Sequence, residues 1–262
     1  MGVQVESGRE FWRGVLTAGG FTAVPRWTLH PVMGVAEFEA AVPDGTVAVL
    51  RRLAGEWGVS FGSVLLAAHA RVLAALSGER EVATGYVVGE GGGGSLPCRL
   101  STGSGSWREL VRDAERAVSE LVLHRDGAVD DLRALRAEPG LAGVVPEVVF
   151  DPGGVGGALA RGTVVGVGFS RRAGGLRLGL RYRTEILDAE GAARIAGYHL
   201  TALDLIAAGP DADHTRQSLL SAEELRFQLE GLAAGPVREL PQRRFHELFE
   251  DRVRAHPDNV AA

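Results

Sequence analysis

Residues 61–76 (FGSVLLAAHARVLAAL) have helical spacing and carry apolar side chains nearly all the way round. Such a helix has no face to offer to water, so it must be covered on every side. Ser60 supplies its N-cap and Gly78 its stop. The chain therefore needs packed layers around this helix. Its 262 residues are enough to build them, as one large domain or two small ones.

The remaining periodicities are mixed. Residues 46–57 read as an amphipathic helix ended near Gly58. Ser106 and Glu109 form a capping box opening a helix to about Leu123, with Trp107, Leu110, Val111, Ala114, Val118, Leu121 and Val122 as its apolar stripe. Residues 82–88, 145–151 and 162–169 read as strands, and 96–100 as a short extended piece. Residues 176–183 alternate strictly. Leu176, Leu178, Leu180 and Tyr182 share one face and Arg177, Gly179, Arg181 and Arg183 the other, with Gly174 and Gly175 as the hairpin turn. Asp188 caps a helix through about Ala208, and Ser221 with Glu224 opens another. Residues 233–241 read as a linker and 245–255 as a final helix. Residues 1–42 hold a short helical piece at Phe11 and Trp12 before Pro25 and Pro31 break the pattern. Interleaved helices and strands with antiparallel character late in the chain predict an α/β sandwich.

Composition removes several chemistries. No run approaches the roughly 18–20 apolar residues of a membrane span, and MGVQVESGREFWRG lacks a signal core, so a cytoplasmic protein without a membrane partner is expected. Gly2 is not followed by Ser or Thr where myristoylation needs it. Cys98 is the single cysteine, which excludes an internal disulfide or a cysteine metal site. A net charge of -5 argues against nucleic acid. Every basic side chain except histidine is arginine, so no lysine base or Schiff base can form.

The motifs are modest. Gly89, Gly91 and Gly94 match GxGxxG after a strand, but a dinucleotide site needs a helix to open there, and SLPCRLS follows. A flexible loop is expected over residues 90–95. His124, with Arg125, Asp126 and Gly127, ends a helix, where a cap is the simpler reading than a general base. His69 is expected to be a satisfied core histidine, and His199 to face solvent. The Arg177, Arg181 and Arg183 stripe reads as a solvated sheet face. No catalytic, cofactor-binding or metal-ligating residue is assigned.

The order of segments nevertheless resembles that of a known family. Residues 47–89, then SLPCRL at 95–100, HRD at 124–126, EVVFD at 147–151, residues 175–209 and LLSAEEL at 219–225 resemble, in sequence, the C-terminal lobe of nonribosomal peptide synthetase condensation domains. FHELFEDRVRAHPDNVAA at 245–262 resembles the opening of an adenylation domain. The resemblance implies a chloramphenicol-acetyltransferase-like half: a single-lobe α/β sandwich, a mixed sheet with flanking helices. It divides the chain into an N-terminal arm and inter-lobe segment (1–42), the lobe (43–232), and a linker with the start of the adenylation domain (233–262).

The family joins substrates carried on phosphopantetheine arms of carrier proteins, using HHxxxDG in its other lobe. This sequence has no adjacent histidine pair. It has Glu90 where the family has arginine, glycine and serine in place of Phe and Asn before Leu96, and Ala128 in place of proline. With Met1 standing shortly before the inter-lobe segment, the expectation is a natural protein without the first lobe, and an end inside an adenylation-domain helix. The implied function is a non-catalytic platform or interaction module ahead of an adenylation domain of the same polypeptide. A half-enzyme completed by another chain carrying HHxxxDG is the alternative. A carrier protein or a second copy are further implied partners, and phosphopantetheine would belong to the carrier, with no cofactor bound directly.

Overall fold

The computed structural model describes residues 2–19, 21–89, 94–103, 105–138, 140, 145–154, 156–233, 235 and 244–257, with side chains from residue 8 onward. It divides into two units, Met1–Ser221 and Ala222–Ala262.

The first unit is an α/β lobe on one mixed sheet. Its strands are β1 (Val35–Ala41), β2 (Glu81–Val87), β3 (Ser95–Ser101), β4 (Val148–Asp151), β5 (Val165–Arg172) and β6 (Gly175–Arg183), in the spatial order β1-β6-β5-β4-β2-β3. β4 runs parallel to both β2 and β5, and the other pairs are antiparallel. The helices are α1 (Gly2–Thr17), α2 (Asp44–Trp57), α3 (Phe61–Ser77), α4 (Trp107–Leu123), α5 (Ala128–Arg136) and α6 (Ala189–Ala208).

The helix caps form as read. The Ser60 hydroxyl accepts from the Ser63 amide, Ser106 and Glu109 close their capping box, and Asp188 accepts from the Gly191 amide. Gly58 and Gly78 end α2 and α3 in the left-handed region that glycine allows. α3 is covered as its sequence demands: ten of its residues are buried, against α4, α6, α2 and β2.

Two readings need correction, the β5–β6 turn and His199, and two elements, β1 and α5, are not among those read from the sequence. The β5–β6 turn is Ala173–Gly174, one residue earlier than expected, and Gly175 opens β6 at φ 105°. β1 and α5 lie in stretches that showed no clear periodicity. His199 is buried, 1% exposed, because it continues the stripe Ala192, Ile195, Ala196 and Leu203 by which α6 packs inward.

The arm packs on the lobe. Trp12 is fully buried and its Nε1 donates to the His124 carbonyl at 3.2 Å. Phe11 stacks on the His124 ring at 4.3 Å, and Arg9 and Arg13 pair with Glu138. The Arg99 guanidinium donates to the carbonyls of Val15 and Gly19 at the C-terminal end of α1.

The second unit holds α7 (Ala222–Arg226), which continues into π-type turns over Phe227–Leu232, and α8 (Phe245–Ala255). The Arg244 amide donates to the Glu247 carboxylate at the start of α8. The helix exposes Phe245, Leu248, Phe249 and Val253. Among the described residues no single helix is long and apolar enough to cross a membrane.

Two predictions follow from this packing. Trp12→Ala leaves a cavity that a helix end cannot close, and costs about 3–5 kcal/mol of stability. Urea unfolding checks this, and a loss under 1 kcal/mol would show that the arm is not integral to the lobe. Three buried histidines also set an acid limit. Burial pushes the pKa of His69 well down and that of His199 down to about 4. That of His214 is lowered by burial and then by Arg71. The folded state therefore resists protons that the unfolded chain accepts below about pH 6.5. Stability is full above that pH and falls as the pH drops toward 4. Glu147, held low by Arg26, contributes its loss only at lower pH. Urea midpoints at pH 8, 6 and 5 should decline, and the decline should flatten in the double variant His69→Gln/His199→Gln. An unchanged slope would refute the assignment.

Candidate functional site

The motif histidines do not converge. His69 and His199 meet inside the lobe, where α3 and α6 cross over β2 and β4. His199 Nδ1 donates to the Ile195 carbonyl at 2.8 Å, and its Nε2 lies 3.1 Å from His69 Nδ1. His69 Nε2 lies 3.3 Å from the Thr84 hydroxyl, which also donates to the Val148 carbonyl at 3.0 Å. The carbonyl fixes the His199 tautomer, so His199 Nε2 accepts and His69 Nδ1 donates. Two neutral rings and one hydroxyl supply three hydrogens for four contacts. The Thr84 hydroxyl therefore has one hydrogen for two acceptors, His69 Nε2 and the Val148 carbonyl, and the row is a core link not aimed at solvent.

His214 is 2% exposed, and its Nδ1 has no hydrogen-bond partner. Its ring lies against Trp107 at 5.4 Å, and its carbonyl accepts from Arg71. His124 is the C-cap residue of α4, and its ring is taken up by Phe11. His30 lies in an exposed stretch before β1, and His246 and His256 lie in the second unit.

Of the glycine motif, Gly89 and Gly94 are among the described residues. Residues 90–93 lie outside the described residues, but Gly94 leads into β3, a strand antiparallel to β2. No helix opens there to hold a pyrophosphate. Cys98 is buried, and burial pushes its thiol up to about 12, so it stays protonated and unreactive. The arginine stripe is a charged sheet face. Arg181 pairs with Glu37, Arg172 approaches Glu39 at 4.0 Å, and Arg183 donates to the carbonyls of Thr163 and Ala160.

Two surface clefts are candidates for small ligands. One of ≈ 410 Å³ lies along α4, lined by Val59, Glu109, Arg112, Asp113, Glu115 and Arg116. The other, ≈ 620 Å³, lies beside α1, lined by Phe11, Val15, Arg99 and His124 among others. The first presents three carboxylates and two guanidiniums, and in the second Arg99 donates to the carbonyls of Val15 and Gly19. Sequence reading missed His214, whose burial depends on the distant Trp107 and Arg71, and no local signal marks it.

No protein-family profile matches the chain. Two known synthetases resemble it in sequence. Tyrocidine synthase 3 of Brevibacillus parabrevis is 26% identical over 243 residues, covering 81% of this chain and 4% of that protein. The AMB antimetabolite synthetase AmbE of Pseudomonas aeruginosa is 29% identical over 249 residues, covering 85% of this chain and 12% of that protein. The chain thus spans a small part of either relative.

Solved structures share the fold. The holo form of AB3403, a four-domain nonribosomal peptide synthetase bound to AMP and glycine, superposes with a TM-score of 0.73 at 13% identity, over 98% of this chain and 23% of that one. The first condensation domain of the calcium-dependent antibiotic synthetase gives 0.63 at 21% identity, over 83% of this chain and 54% of that one. The X-domain from teicoplanin biosynthesis gives 0.68 at 18% identity, over 82% and 57%. The mixed six-stranded sheet with flanking helices is the fold that this chain shares with these structures. The chain is thus similar in sequence to parts of two peptide synthetases and shares its fold with solved condensation-domain structures.

His124→Ala removes one ring stack and leaves the backbone carbonyl that holds Trp12. A stability loss of about 0.5–1.5 kcal/mol is expected in urea unfolding. A loss above 3 kcal/mol would give the ring a larger part in the lobe than its stack accounts for.

Proposed function

We propose that the chain is a non-catalytic condensation lobe, serving a nonribosomal peptide synthetase as a platform or interaction module ahead of an adenylation domain. One observation carries the reading, the placement of all seven histidines. Three are buried and held neutral, one ends α4 against Phe11, three are exposed on other segments, and none has a neighbouring histidine in sequence. A condensation base must reach an amine on a carrier-bound substrate, and no histidine here is set up to do so.

Other observations support the module role. Isolated domains of this fold match 82–83% of the chain, whereas the four-domain synthetase matches 98%. That agrees with a second unit leading toward a following domain. The apolar stripe of α8 suits such a neighbour. A structure of the same fold, the X-domain from teicoplanin biosynthesis, is known in complex with OxyB, which supports partner docking as a use of the fold. A cytoplasmic setting with carrier-bound phosphopantetheine substrates goes with this reading.

Incubated with two loaded carrier proteins, the chain should form no peptide bond above background. Peptide formation that disappears in His124→Ala would overturn the proposal. Formation only on adding a separate chain with HHxxxDG would replace it with a split enzyme.

A further inference from the structure

The two edges of the sheet are built differently. At the β3 edge, the Thr102 amide donates to the Arg80 carbonyl, which fixes the alternation of the β2–β3 ladder. Leu96, Cys98 and Leu100 therefore bond inward to β2, and Ser95, Pro97, Arg99 and Ser101 face outward. Pro97 stands at an outward position where it offers no N–H. α1 and α4 pack against the same strand.

At the β1 edge, the Thr184 amide donates to the Gly34 carbonyl and the Val42 amide to the Leu176 carbonyl. In this register Ala36, Phe38 and Ala40 bond to β6, while Val35, Glu37, Glu39 and Ala41 turn their backbone groups away from the sheet. Those four residues are exposed, and β1 pairs with β6 alone among the described strands. The strand is seven residues long, with no proline and no bulge in its register. The segment before it is held in place. The Thr184 hydroxyl donates to the Val32 carbonyl, and the Gly34 amide to Glu185. This fixed segment nonetheless exposes Leu29 at 91% and Met33 at 82%.

Charge selects the occupant. On the open sheet face the β6 row is basic and the β1 row acidic, with Arg181 beside Glu37. A second copy paired antiparallel about Phe38 would set Glu37 against Glu39, like charges directly opposite. A strand with basic residues at alternate positions would continue the ladder of signs. Its intervening side chains would lie on the face of half-buried Ala36, Phe38 and Ala40.

We propose that β1 is a strand-addition site, taking an extended partner segment in which Arg or Lys alternates with apolar residues. Main-chain bonds to Val35, Glu37, Glu39 and Ala41 supply the attachment, and the acidic row sets register and partner choice. The site stands whether or not the lobe is catalytic, and its failure would leave the platform reading untouched.

The test uses the full chain and a synthetic eight-residue peptide alternating arginine and valine. A peptide of equal composition, four arginines followed by four valines, is the control. The alternating peptide should bind at least tenfold more tightly and slow amide exchange at Val35, Glu37, Glu39 and Ala41. Glu37→Gln/Glu39→Gln should weaken binding severalfold. Glu39→Pro removes an outward N–H together with the carboxylate, and set beside Glu37→Gln/Glu39→Gln, which removes the charges alone, it should abolish the exchange effect with the urea midpoint little changed. Equal binding of both peptides, or binding without slowed exchange at β1, would overturn the site. Exchange slowed at β1 by raising protein concentration alone would replace the partner with a second copy. Should Glu39→Pro fail to fold, the exchange pattern of the unsubstituted chain decides.

Discussion

A helix with no polar face cannot lie on a surface, and α3 is such a helix. Its burial makes the first unit layered, with β2 on one side and α4, α6 and α2 around the rest. His69 is the single ionisable side chain that α3 takes fully into this interior. A polar group there needs a partner, and His199 from α6 supplies it, with Thr84 from β2 beyond. The row crosses three elements and fixes how α3 and α6 sit on the sheet. An apolar pair would pack as well but would not specify one rotation of either helix.

The same interior shows what the stability of the first unit rests on. Its stability rests on apolar burial around α3 and on the arm anchored by Trp12, and the histidines take structural parts. A fold of this kind carries whatever site is grafted onto it. Here the described surface offers charged clefts, an exposed apolar stripe on α8 and an open strand edge.

Local chemistry was readable and long-range pairing was not. Ser60, Ser106 with Glu109, and Asp188 mark helix starts because a cap is made within three residues. The alternation at 175–183 marks β6 because one face is buried and the other is not. β1 escaped notice because alanines at 36, 40 and 41 blur its alternation, and its partner lies more than a hundred residues away. α5 is nine residues long and starts after a glycine with no side-chain cap. His199 was misplaced because a histidine in an amphipathic stripe looks like a polar boundary until its partner across the core is known. The sheet order, with β4 parallel to strands from two separate segments, has no local signal at all.

Pro97 has a consequence beyond its own strand. A sheet open at both ends is bivalent, and bivalent sheets grow without limit into fibres. With an imide nitrogen on the β3 rim and α1 and α4 packed against that strand, β1 is the more open edge among the described strands. A strand added at β1, as proposed, would therefore end the array at that lobe, with one partner for each lobe.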